Sequence, residues 1–250
     1  MSRYICVDIG GTSIKHGVLD ENAIIKECNQ TKTEAWLGGA AVLDKVKTIG
    51  KQYKEQYENI EGICISTAGM VDPEEGKIVY AGELMPGYTG TCIKKELEKA
   101  LEMPCEVEND VNCAGLAEYV SGSAKESHIM FCATVGTGIG GCAIVNGRVF
   151  HGASNSACEV GYIPMGDSDF QTLGASSILV RKVAEKKIEP LDMWDGKKIF
   201  ALAEKGDKVC ISAIKEMCDV LGKGLATICY VLNPDTIVLG GGIMVQKKNS

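Results

Sequence analysis

A short pattern occurs twice in this sequence, and the repeat constrains the fold more than any other feature. The first copy has an apolar run at residues 4–7, a glycine-rich turn at 8–12 and a second apolar run that ends by residue 19. An offset of 126 residues places Gly10 of this copy on Gly136 of the second. Because apolar runs on both sides of a glycine-rich turn are typical of β-hairpins, both copies are predicted to be glycine-tipped hairpins.

The repeat continues beyond the hairpins. In each half a helical pattern leads to a further strand, which ends at residue 65 in the first half and at residue 239 in the second. The sequence therefore predicts two similar α/β domains that face a cleft, with residues 1–108 in the first and 109–250 in the second. Backbone N–H groups at glycine tips can approach an anion closely because no Cβ is in the way. Two facing tips would clamp a polyphosphate.

Other stretches give expectations about local structure. The first hairpin unit is predicted to end at residue 27 and to be followed by a polar connector at 31–34. The spacing of apolar residues predicts an amphipathic helix at 36–57 and a longer one at 208–232, and residues 173–187 are also predicted to be helical.

Composition excludes several classes of protein. The net charge of −7 and the pI near 5.1 argue against a nucleic-acid-binding protein, which usually has a basic domain. No apolar run is long enough to span a bilayer, and the N-terminus has no basic-then-apolar leader pattern, so a cytoplasmic protein is predicted. The twelve cysteines include no CxxC pair and are predicted to be reduced and buried. The three histidines lack the spacing of metal ligands.

Asn109 and Asp110 are the most chemically suggestive pair in the middle of the chain. They follow a short strand and precede a helix predicted at 111–120, whose N-terminus favours negative charge. One interpretation is a plain helix cap, because both residue types accept hydrogen bonds from the first N–H groups of a helix. The other is a general base at a domain junction. The residue types alone leave both interpretations open.

The spacing Gly136-x-Gly138-x-x-Gly141 matches the dinucleotide-binding fingerprint, and Glu159 follows 18 residues later. That motif has to open a helix, whereas the residues after Gly141 indicate a strand. A dinucleotide enzyme is therefore disfavoured. A P-loop is excluded because the sequence has no GxxxxGK followed by Ser or Thr.

Five motifs occur in an order that identifies a family. They are Asp8-Ile9-Gly10-Gly11-Thr12, Glu108-Asn109-Asp110-Val111-Asn112, Val135-Gly136-Thr137-Gly138-Ile139-Gly140, Glu159-Val160-Gly161-Tyr162 and Gly240-Gly241-Gly242. In this order and at this spacing the chain resembles, over its whole length, the ROK family of repressors and sugar kinases. The resemblance implies an α/β fold of two actin-like (ribonuclease H-like) domains that flank a cleft, with duplicated hairpin-helix-strand units.

The resemblance also implies roles for individual residues. Asp8 resembles the carboxylate that holds Mg²⁺ through water, and Asp110 resembles the catalytic base. The implied nucleotide-binding residues are Gly10, Gly11, Thr12 and Lys15 for the first phosphate loop, Gly136, Thr137 and Gly138 for the second, and Gly240 and Gly241 for the adenosine site. The implied sugar-binding residues are Gly69, Asn109, Asp110, Glu159, Tyr162 and Gln171.

Two regions depart from the family pattern. Family members commonly carry a cysteine-rich zinc motif and a zinc-binding histidine, whereas residues 166–172 contain no cysteine and Tyr162 stands in the histidine's place. Gln171 takes the position of the motif's final glutamate. No zinc site is therefore expected, and similar zinc-free members include β-glucoside kinases. Family chains also usually continue past Gly242 into a helix that returns to the first domain, which this chain is expected to lack.

The predicted function is ATP-dependent phosphorylation of a hexose or hexoside at the 6-hydroxyl, as in glucokinases or β-glucoside kinases, with ATP and Mg²⁺ as cofactors. The alternatives are a sugar-binding regulator and an inactive truncated form. A regulator is disfavoured because the first strand begins by Tyr4, which leaves no room for an N-terminal DNA-binding domain. The identity of the sugar is left open. The resemblance implies a homodimer, and no nucleic-acid or membrane partner is expected.

Overall fold

Residues 2–245 are described by a computed structural model. The chain divides into two units, Met1–Cys113 and Ala114–Ser250, which we call the first and the second unit and describe separately. The predicted domain boundary between residues 108 and 109 stays a prediction. The predicted end of the second domain, residues 246–250, lies outside the described residues.

The first unit is built around a five-stranded sheet. In chain order its elements are β1 (Arg3–Ile9), β2 (Ser13–Asp20), β3 (Ile25–Lys32), α1 (Gly39–Gln56), β4 (Ile60–Thr67), β5 (Met70–Asp72), β6 (Lys77–Tyr80), α2 (Ile93–Leu101), β7 (Cys105–Asn109) and the start of α3 (Asp110–Val120). The strand order of the sheet is β3-β2-β1-β4-β7, and β5 pairs with β6 separately.

The directions of these strands place several loops together. β1 is parallel to β4, and β4 is parallel to β7. β3 is antiparallel to β2, which is itself antiparallel to β1, so β3 runs in the same direction as β1. The carboxyl ends of β1, β3, β4 and β7 therefore lie along one edge of the sheet, which we call the carboxyl edge.

The core of the first unit follows from simple periodicity. Alternation along β1 places Ile5 and Val7 on one face, where they join the same buried cluster as Val46 of α1. Burying one side chain of this size contributes about 1.5–3 kcal/mol. Gly50 allows α1 and α2 to approach closely, because a Cβ there would lie 2.6 Å from Leu101 Cδ1.

The third strand, β3, was not predicted from the sequence. Residues 25–32 pair with β2, whereas the predicted hairpin ended at residue 27 and was followed by a connector. Almost every side chain of β3 is exposed, so the strand lacks the alternation of apolar and polar residues that indicates a half-buried strand. Its charged side chains also protect an outer edge against pairing with other chains.

The second unit repeats the central pattern of the first. Its elements are the rest of α3, β8 (Ile129–Val135), β9 (Ile139–Val145), β10 (Arg148–Val149), β11 (Pro164–Met165), β12 (Ser168–Asp169), α4 (Phe170–Gly174), α5 (Ser176–Lys187), α6 (Gly196–Glu204), α7 (Lys208–Leu232) and β13 (Thr236–Gly240). The main sheet has the order β10-β9-β8-β13. β8 is antiparallel to β9 and parallel to β13, as β1 is to β2 and β4.

The register of the repeat is kept to the residue. β8 begins and ends 126 residues after β1, and β9 begins 126 residues after β2. The predicted α/β fold with two related hairpin units is therefore confirmed. A strand, not a helix, follows the glycine-rich turn at 136–138, so the local structure that a dinucleotide fingerprint requires is missing there.

Two predicted helices differ from the structure. The helix predicted at 36–57 begins at Gly39, because Gly38 has a φ of 88° that breaks the helical path. The helix predicted at 173–187 is divided into α4 and α5 by Ala175, whose backbone is extended. The break allows the start of α5 to contact a loop, as described below. The long helix predicted at 208–232 is confirmed as α7.

The cysteines are less uniform than predicted. All twelve lie within the described residues, and none of them forms a disulfide. The prediction that they are buried is wrong for Cys28, Cys64, Cys218 and Cys229, which are exposed. Cys28 lies on the exposed strand β3, and the other three face outward from β4 and α7. Between residues 2 and 245, no helix is both long and apolar enough to cross a lipid bilayer.

Candidate active site

The first glycine-rich turn lies at the carboxyl edge, between β1 and β2. The Gly10 N–H donates to Ser13 O over 3.1 Å, which closes the turn. The buried Thr33 hydroxyl donates to Gly10 O over 2.6 Å and fixes the turn from the end of β3. A Cβ on Gly11 would have no neighbour within 4 Å, so its backbone is open to a ligand. Thr33 was missed from the sequence because it lay in a stretch interpreted as a connector.

Asp8 is held near this turn by the neighbouring strands. Ser66 Oγ donates to Asp8 Oδ1 over 2.9 Å, across the parallel register of β4 and β1. Lys15 Nζ lies 3.8 Å from Asp8 Oδ2, across the antiparallel register of β1 and β2. The Lys15 side chain is 61% exposed, so this ion pair is weak and the amine remains accessible. Ser66 was not identified from the sequence.

Asn109 ends β7 and supports the start of α3. Its Oδ1 accepts hydrogen bonds from the backbone N–H groups of Val111 (2.8 Å) and Asn112 (3.1 Å), which would otherwise lack partners in the first helical turn. Its Nδ2 donates to Asp110 Oδ1 over 3.0 Å. Asn109 therefore combines the predicted role of a helix cap with direct support of its neighbour.

Gly69 is joined to the same group. Asn109 Nδ2 also donates to Gly69 O over 2.9 Å. Gly69 has a φ of +102°, and a Cβ there would lie 2.7 Å from Tyr80 O. Only glycine fits this backbone without strain. The structure thus brings together Gly69, Asn109 and Asp110, although Gly69 is 40 residues from Asn109 in the sequence.

The carboxyl group of Asp110 has an unusual environment. Its side chain reaches solvent, yet the protein atoms around it remove part of its hydration, and this desolvation raises its pKa above the ordinary value. The negative charge of Asp8 raises the pKa further, while the hydrogen bond from the Val111 N–H opposes the rise. A raised pKa suits a carboxylate that has to accept a proton near neutral pH.

The carboxylate of Asp8 fits a Mg²⁺ ion that is held mainly by water and phosphate oxygens. The Asp8 side chain is 42% exposed, and its charge acts on Asp110. Mg²⁺ usually binds one or two carboxylates and substrate phosphates while it keeps several waters. Among residues 2–245 there is no group of three or more His, Cys, Asp or Glu side chains that could enclose a metal. The residues present therefore suit Mg²⁺ held through water.

In the second unit, the glycine-rich turn between β8 and β9 is held by the start of α5. The Gly136 N–H donates to Gly138 O over 2.9 Å. Gly136 O accepts from the Ser176 N–H (3.0 Å) and from Ser176 Oγ (2.5 Å), and Ser177 Oγ donates to Thr137 O over 2.7 Å. The two serines lie in a segment predicted as continuous helix, so their role was not predicted from the sequence.

Gln171 and the turn that carries Glu159 and Tyr162 lie beside this loop. A Cβ built on Gly138 would lie 2.8 Å from Gln171 Oε1, and one built on Gly161 would lie 2.9 Å from the same atom. Glu159 precedes a short 3₁₀ turn, and its carbonyl oxygen accepts from the Tyr162 N–H over 3.2 Å. The structure therefore places Gln171 close to both predicted motifs of the second unit.

Gly240 and Gly241 lie at the end of β13, the strand that pairs with β8. Gly240 is paired with Thr134 at the end of β13, and Gly241 has a φ of +102°. A Cβ on Gly241 would lie 2.2 Å from Val135 O, so a side chain there would collide with β8 next to the phosphate loop. These glycines allow the backbone of β13 to leave the sheet directly beside the second loop.

The fold and these two groups of residues define an actin-like carbohydrate kinase. The ROK family model matches residues 4–249, and the chain belongs to this family. It is 31% identical over 250 residues to a β-glucoside kinase of Klebsiella pneumoniae. The aligned region covers 97% of this chain and 82% of that protein.

Solved structures give the same assignment. A ROK family protein from Streptococcus pneumoniae in complex with sucrose is 31% identical, with a TM-score of 0.86 over 98% of this chain and 82% of that one. A ROK glucokinase from Streptomyces griseus in complex with glucose and AMPPNP is 26% identical, with a TM-score of 0.82 over 97% of this chain and 84% of that one. The predicted family, the actin-like fold and the carbohydrate-kinase class are confirmed.

Proposed function

We propose that this chain transfers the γ-phosphoryl group of ATP to the 6-hydroxyl of a hexose or hexoside. The observation that carries the proposal is the geometry of Asp110. Its carboxylate lies at the start of α3, is oriented by Asn109 Nδ2 at 3.0 Å and has a raised pKa. The relatives named β-glucoside kinase and glucokinase support a sugar as the acceptor.

Asp110 acts as the general base in this proposal. Its hydrogen bonds from Asn109 Nδ2 and the Val111 N–H both end on Oδ1. We therefore assign proton transfer to Oδ2. As the sugar oxygen forms its bond to the γ-phosphorus and the bond to the ADP oxygen breaks, the hydroxyl proton passes to Asp110.

The remaining residues bind the two substrates. Asn109, the backbone of Gly69, Glu159, Tyr162 and Gln171 are the proposed ligands of the sugar hydroxyls. Polar side chains of this kind discriminate strongly between sugars, because a missing hydroxyl leaves them unpaired. Gln171 in place of a glutamate changes one acceptor-only group into a group that can also donate a hydrogen bond.

The two hairpin tips are the proposed phosphate-binding elements. Gly10, Gly11 and Thr12, with Lys15, would bind phosphate in the first unit, and residues 136–138 in the second, with Gly240 and Gly241 at the adenosine. Asp8 is the proposed Mg²⁺ residue, acting through water. When bound, Mg²⁺ would neutralise charge on the phosphate oxygens. The proposal rests on backbone N–H groups that no Cβ obstructs.

A coupled assay of ADP production tests the function directly. Glucose, other hexoses and β-glucosides are offered in turn with ATP and Mg²⁺, and the product is analysed for the phosphorylated position by NMR. We expect turnover of at least one of these sugars and a 6-phosphate product. Sugar binding by calorimetry without ADP production would instead indicate a sugar-binding regulator or an inactive form.

Three further expectations remain proposals that rest on the family resemblance and on composition. They are a homodimer, a cytoplasmic location and the absence of a nucleic-acid partner. Sedimentation at several concentrations tests the first, because a dimer is expected to persist at concentrations near those of the assay.

A further inference from the structure

Two cysteines face each other on neighbouring strands of the first sheet. Cys6 of β1 and Cys64 of β4 are paired in the parallel register of these strands. Their side chains lie on the same face of the sheet, opposite to Ile5 and Ile63, which belong to the core. The Cys6 thiol donates a hydrogen bond to the Cys64 sulfur, so the two sulfur atoms are in contact. The residues proposed for phosphoryl transfer do not include this pair.

The backbone geometry of the pair is compatible with a disulfide bond. Paired strands lie about 4.7–4.9 Å apart, and disulfides join residues whose Cα atoms are about 4.4–6.8 Å apart. The Cβ atoms of a disulfide are about 3.8 Å apart, so the bond would draw these two Cβ atoms together by about 1 Å. Cys28 lies on the same row of the sheet, because Gly17 pairs with both Cys6 and Cys28. Two strand spacings separate Cys28 from Cys6, which is too far for such a bond.

Exposure distinguishes this pair from a second cysteine pair in the sheet of the second unit. Cys132 and Cys142 are also paired in register, on β8 and β9. Both are buried, whereas Cys64 is exposed and Cys6 is half-buried. The hydrogen bond from Cys6 lowers the pKa of the Cys64 thiol, against the opposing effects of desolvation and of the charge of Glu106. Because the thiolate is the reactive form, Cys64 is the sulfur that a small oxidant attacks first.

The pair lies beside the residues proposed for magnesium. Asp8 and Ser66 follow Cys6 and Cys64 by two residues on the same strands, so all four side chains share one face of the sheet. Ser66 Oγ donates to Asp8 Oδ1 over 2.9 Å. A bond between the two cysteines would therefore change the spacing of the strands next to the hydrogen bond that orients Asp8.

We propose that Cys6 and Cys64 are a thiol modification site, where a peroxide closes a reversible disulfide that weakens metal binding at Asp8. The effect on the metal rests on the proposed kinase function, whereas formation of the disulfide does not.

The chemistry takes two steps and balances with one hydrogen peroxide. The Cys64 sulfur attacks one peroxide oxygen, the O–O bond breaks, and a sulfenic acid and water form. The Cys6 sulfur then attacks the Cys64 sulfur, the S–O bond breaks, and the oxygen leaves as water with the Cys6 proton. The two sulfur atoms together lose two electrons and the peroxide gains two. A dithiol reverses the change by exchange.

Formation of the disulfide is tested in the whole protein without substrate. Hydrogen peroxide is added to dilute reduced protein and then removed, and the remaining thiols are counted in denaturant. Wild type is expected to lose two thiols per chain and to regain both with dithiothreitol. Trypsin places Cys6 in peptide 4–15 and Cys64 in peptide 55–77, each as its only cysteine, so mass analysis identifies the linked pair. Cys64→Ser is expected to form no such link, and Cys28→Ser is expected to behave as wild type.

The effect on the metal site is measured by paramagnetic resonance. Mn²⁺ is titrated into reduced and oxidised protein with nucleotide present, so that turnover is not needed. Oxidation is expected to weaken Mn²⁺ binding about tenfold in wild type, the usual effect of disturbing a group that orients a metal ligand, and to leave Cys64→Ser unchanged. If reduced wild type phosphorylates no sugar, the proposed kinase function fails, and the linked peptides still decide the disulfide.

Four results would overturn the proposal. They are an unchanged thiol count in oxidised wild type, a disulfide that joins other cysteines or two chains, an equal loss of Mn²⁺ binding in oxidised Cys64→Ser, and an unaltered Mn²⁺ affinity once peptides 4–15 and 55–77 are linked.

Discussion

Ser66 Oγ donates a 2.9 Å hydrogen bond to Asp8 Oδ1, between residues that face each other in the register of β4 and β1. The bond fixes the orientation of the carboxylate that we propose for Mg²⁺. Partners that orient metal-binding groups commonly change metal affinity by about tenfold or more when they are removed. The position of Ser66 therefore leads to a prediction about the dependence on magnesium.

Ser66→Ala is expected to raise the Mg²⁺ concentration needed for half-maximal activity by about tenfold, while kcat at saturating Mg²⁺ falls less. Mn²⁺ titration followed by paramagnetic resonance, with nucleotide present, gives the affinity without turnover. Ser66→Thr keeps the hydroxyl and serves as the control. An unaltered metal dependence in Ser66→Ala would show that Asp8 is positioned without Ser66 or does not act on the metal.

Gly136→Val is expected to weaken binding of a non-hydrolysable ATP analogue by about tenfold or more, with sugar affinity nearly unchanged. A Cβ at this position has open space within the protein, so the variant should fold, and the side chain would obstruct only an approaching phosphate. Gly196→Val, at another open glycine of the second unit, is the control. Calorimetry measures both affinities, and a folded variant with wild-type nucleotide affinity would contradict the phosphate-loop assignment.

The protein is expected to contain no zinc and to keep its structure in chelator. Removal of a structural zinc usually costs the free energy of folding that the metal supplies. The melting temperature should therefore be the same with and without EDTA, while activity is lost in EDTA and returns with Mg²⁺. Stoichiometric zinc in metal analysis of the purified protein would refute this prediction.

Two glycines of α7 provide a matched test of packing in the second unit. A Cβ on Gly224 would lie 2.3 Å from Phe170 Cζ, whereas a Cβ on Gly222 has no neighbour within 4 Å. Gly224→Ala is expected to destabilise the protein by about 1–3 kcal/mol through overpacking. Gly222→Ala is expected to stabilise it by about 0.5–1 kcal/mol, because alanine loses less backbone entropy in a helix. Denaturant unfolding of both variants checks the signs, and equal effects would contradict the described packing.

The sequence predicted those features of the fold that local pattern controls. The hairpin tips at Gly10 and Gly136 and the helix at 208–232 follow from apolar spacing and turn residues. β3 was not predicted, because its exposed side chains show no periodic pattern. Its structure is determined by the pairing of its backbone with β2. The break in the helix at Ala175 was not predicted, because the contact of Ser176 with the loop at Gly136 overrides helix propensity.

In the candidate site, too, residues in local motifs were predicted, whereas partners from distant segments were not. Asp8, Asn109 and Asp110 were identified because they occur in motifs at turns and strand ends. Ser66 supports Asp8, and Thr33 supports Gly10, from the ends of strands that are distant in sequence. No spacing rule connects a residue at the end of β3 with a glycine at the end of β1. Such partners become visible only when the strand order is known.

The pH dependence of turnover follows from the environment of Asp110. A general base acts in its ionised form, so activity is lost as the pH falls through the pKa of the base. Because desolvation and the charge of Asp8 raise the pKa of Asp110, the acid limb of the kcat profile should lie above the ordinary pKa of an aspartate. In Asp110→Asn this limb should be absent from the residual activity.

The central measurement is the turnover of Asp110→Asn together with its melting curve. Asparagine keeps the shape of the side chain, and the N–H groups of Val111 and Asn112 remain capped by Asn109. Stability and sugar affinity should therefore change little. If Asp110 is the base, kcat should fall by about two to four orders of magnitude. Asp44→Asn, the same change on the surface of α1, is the control. Turnover of Asp110→Asn close to that of wild type would contradict the catalytic assignment.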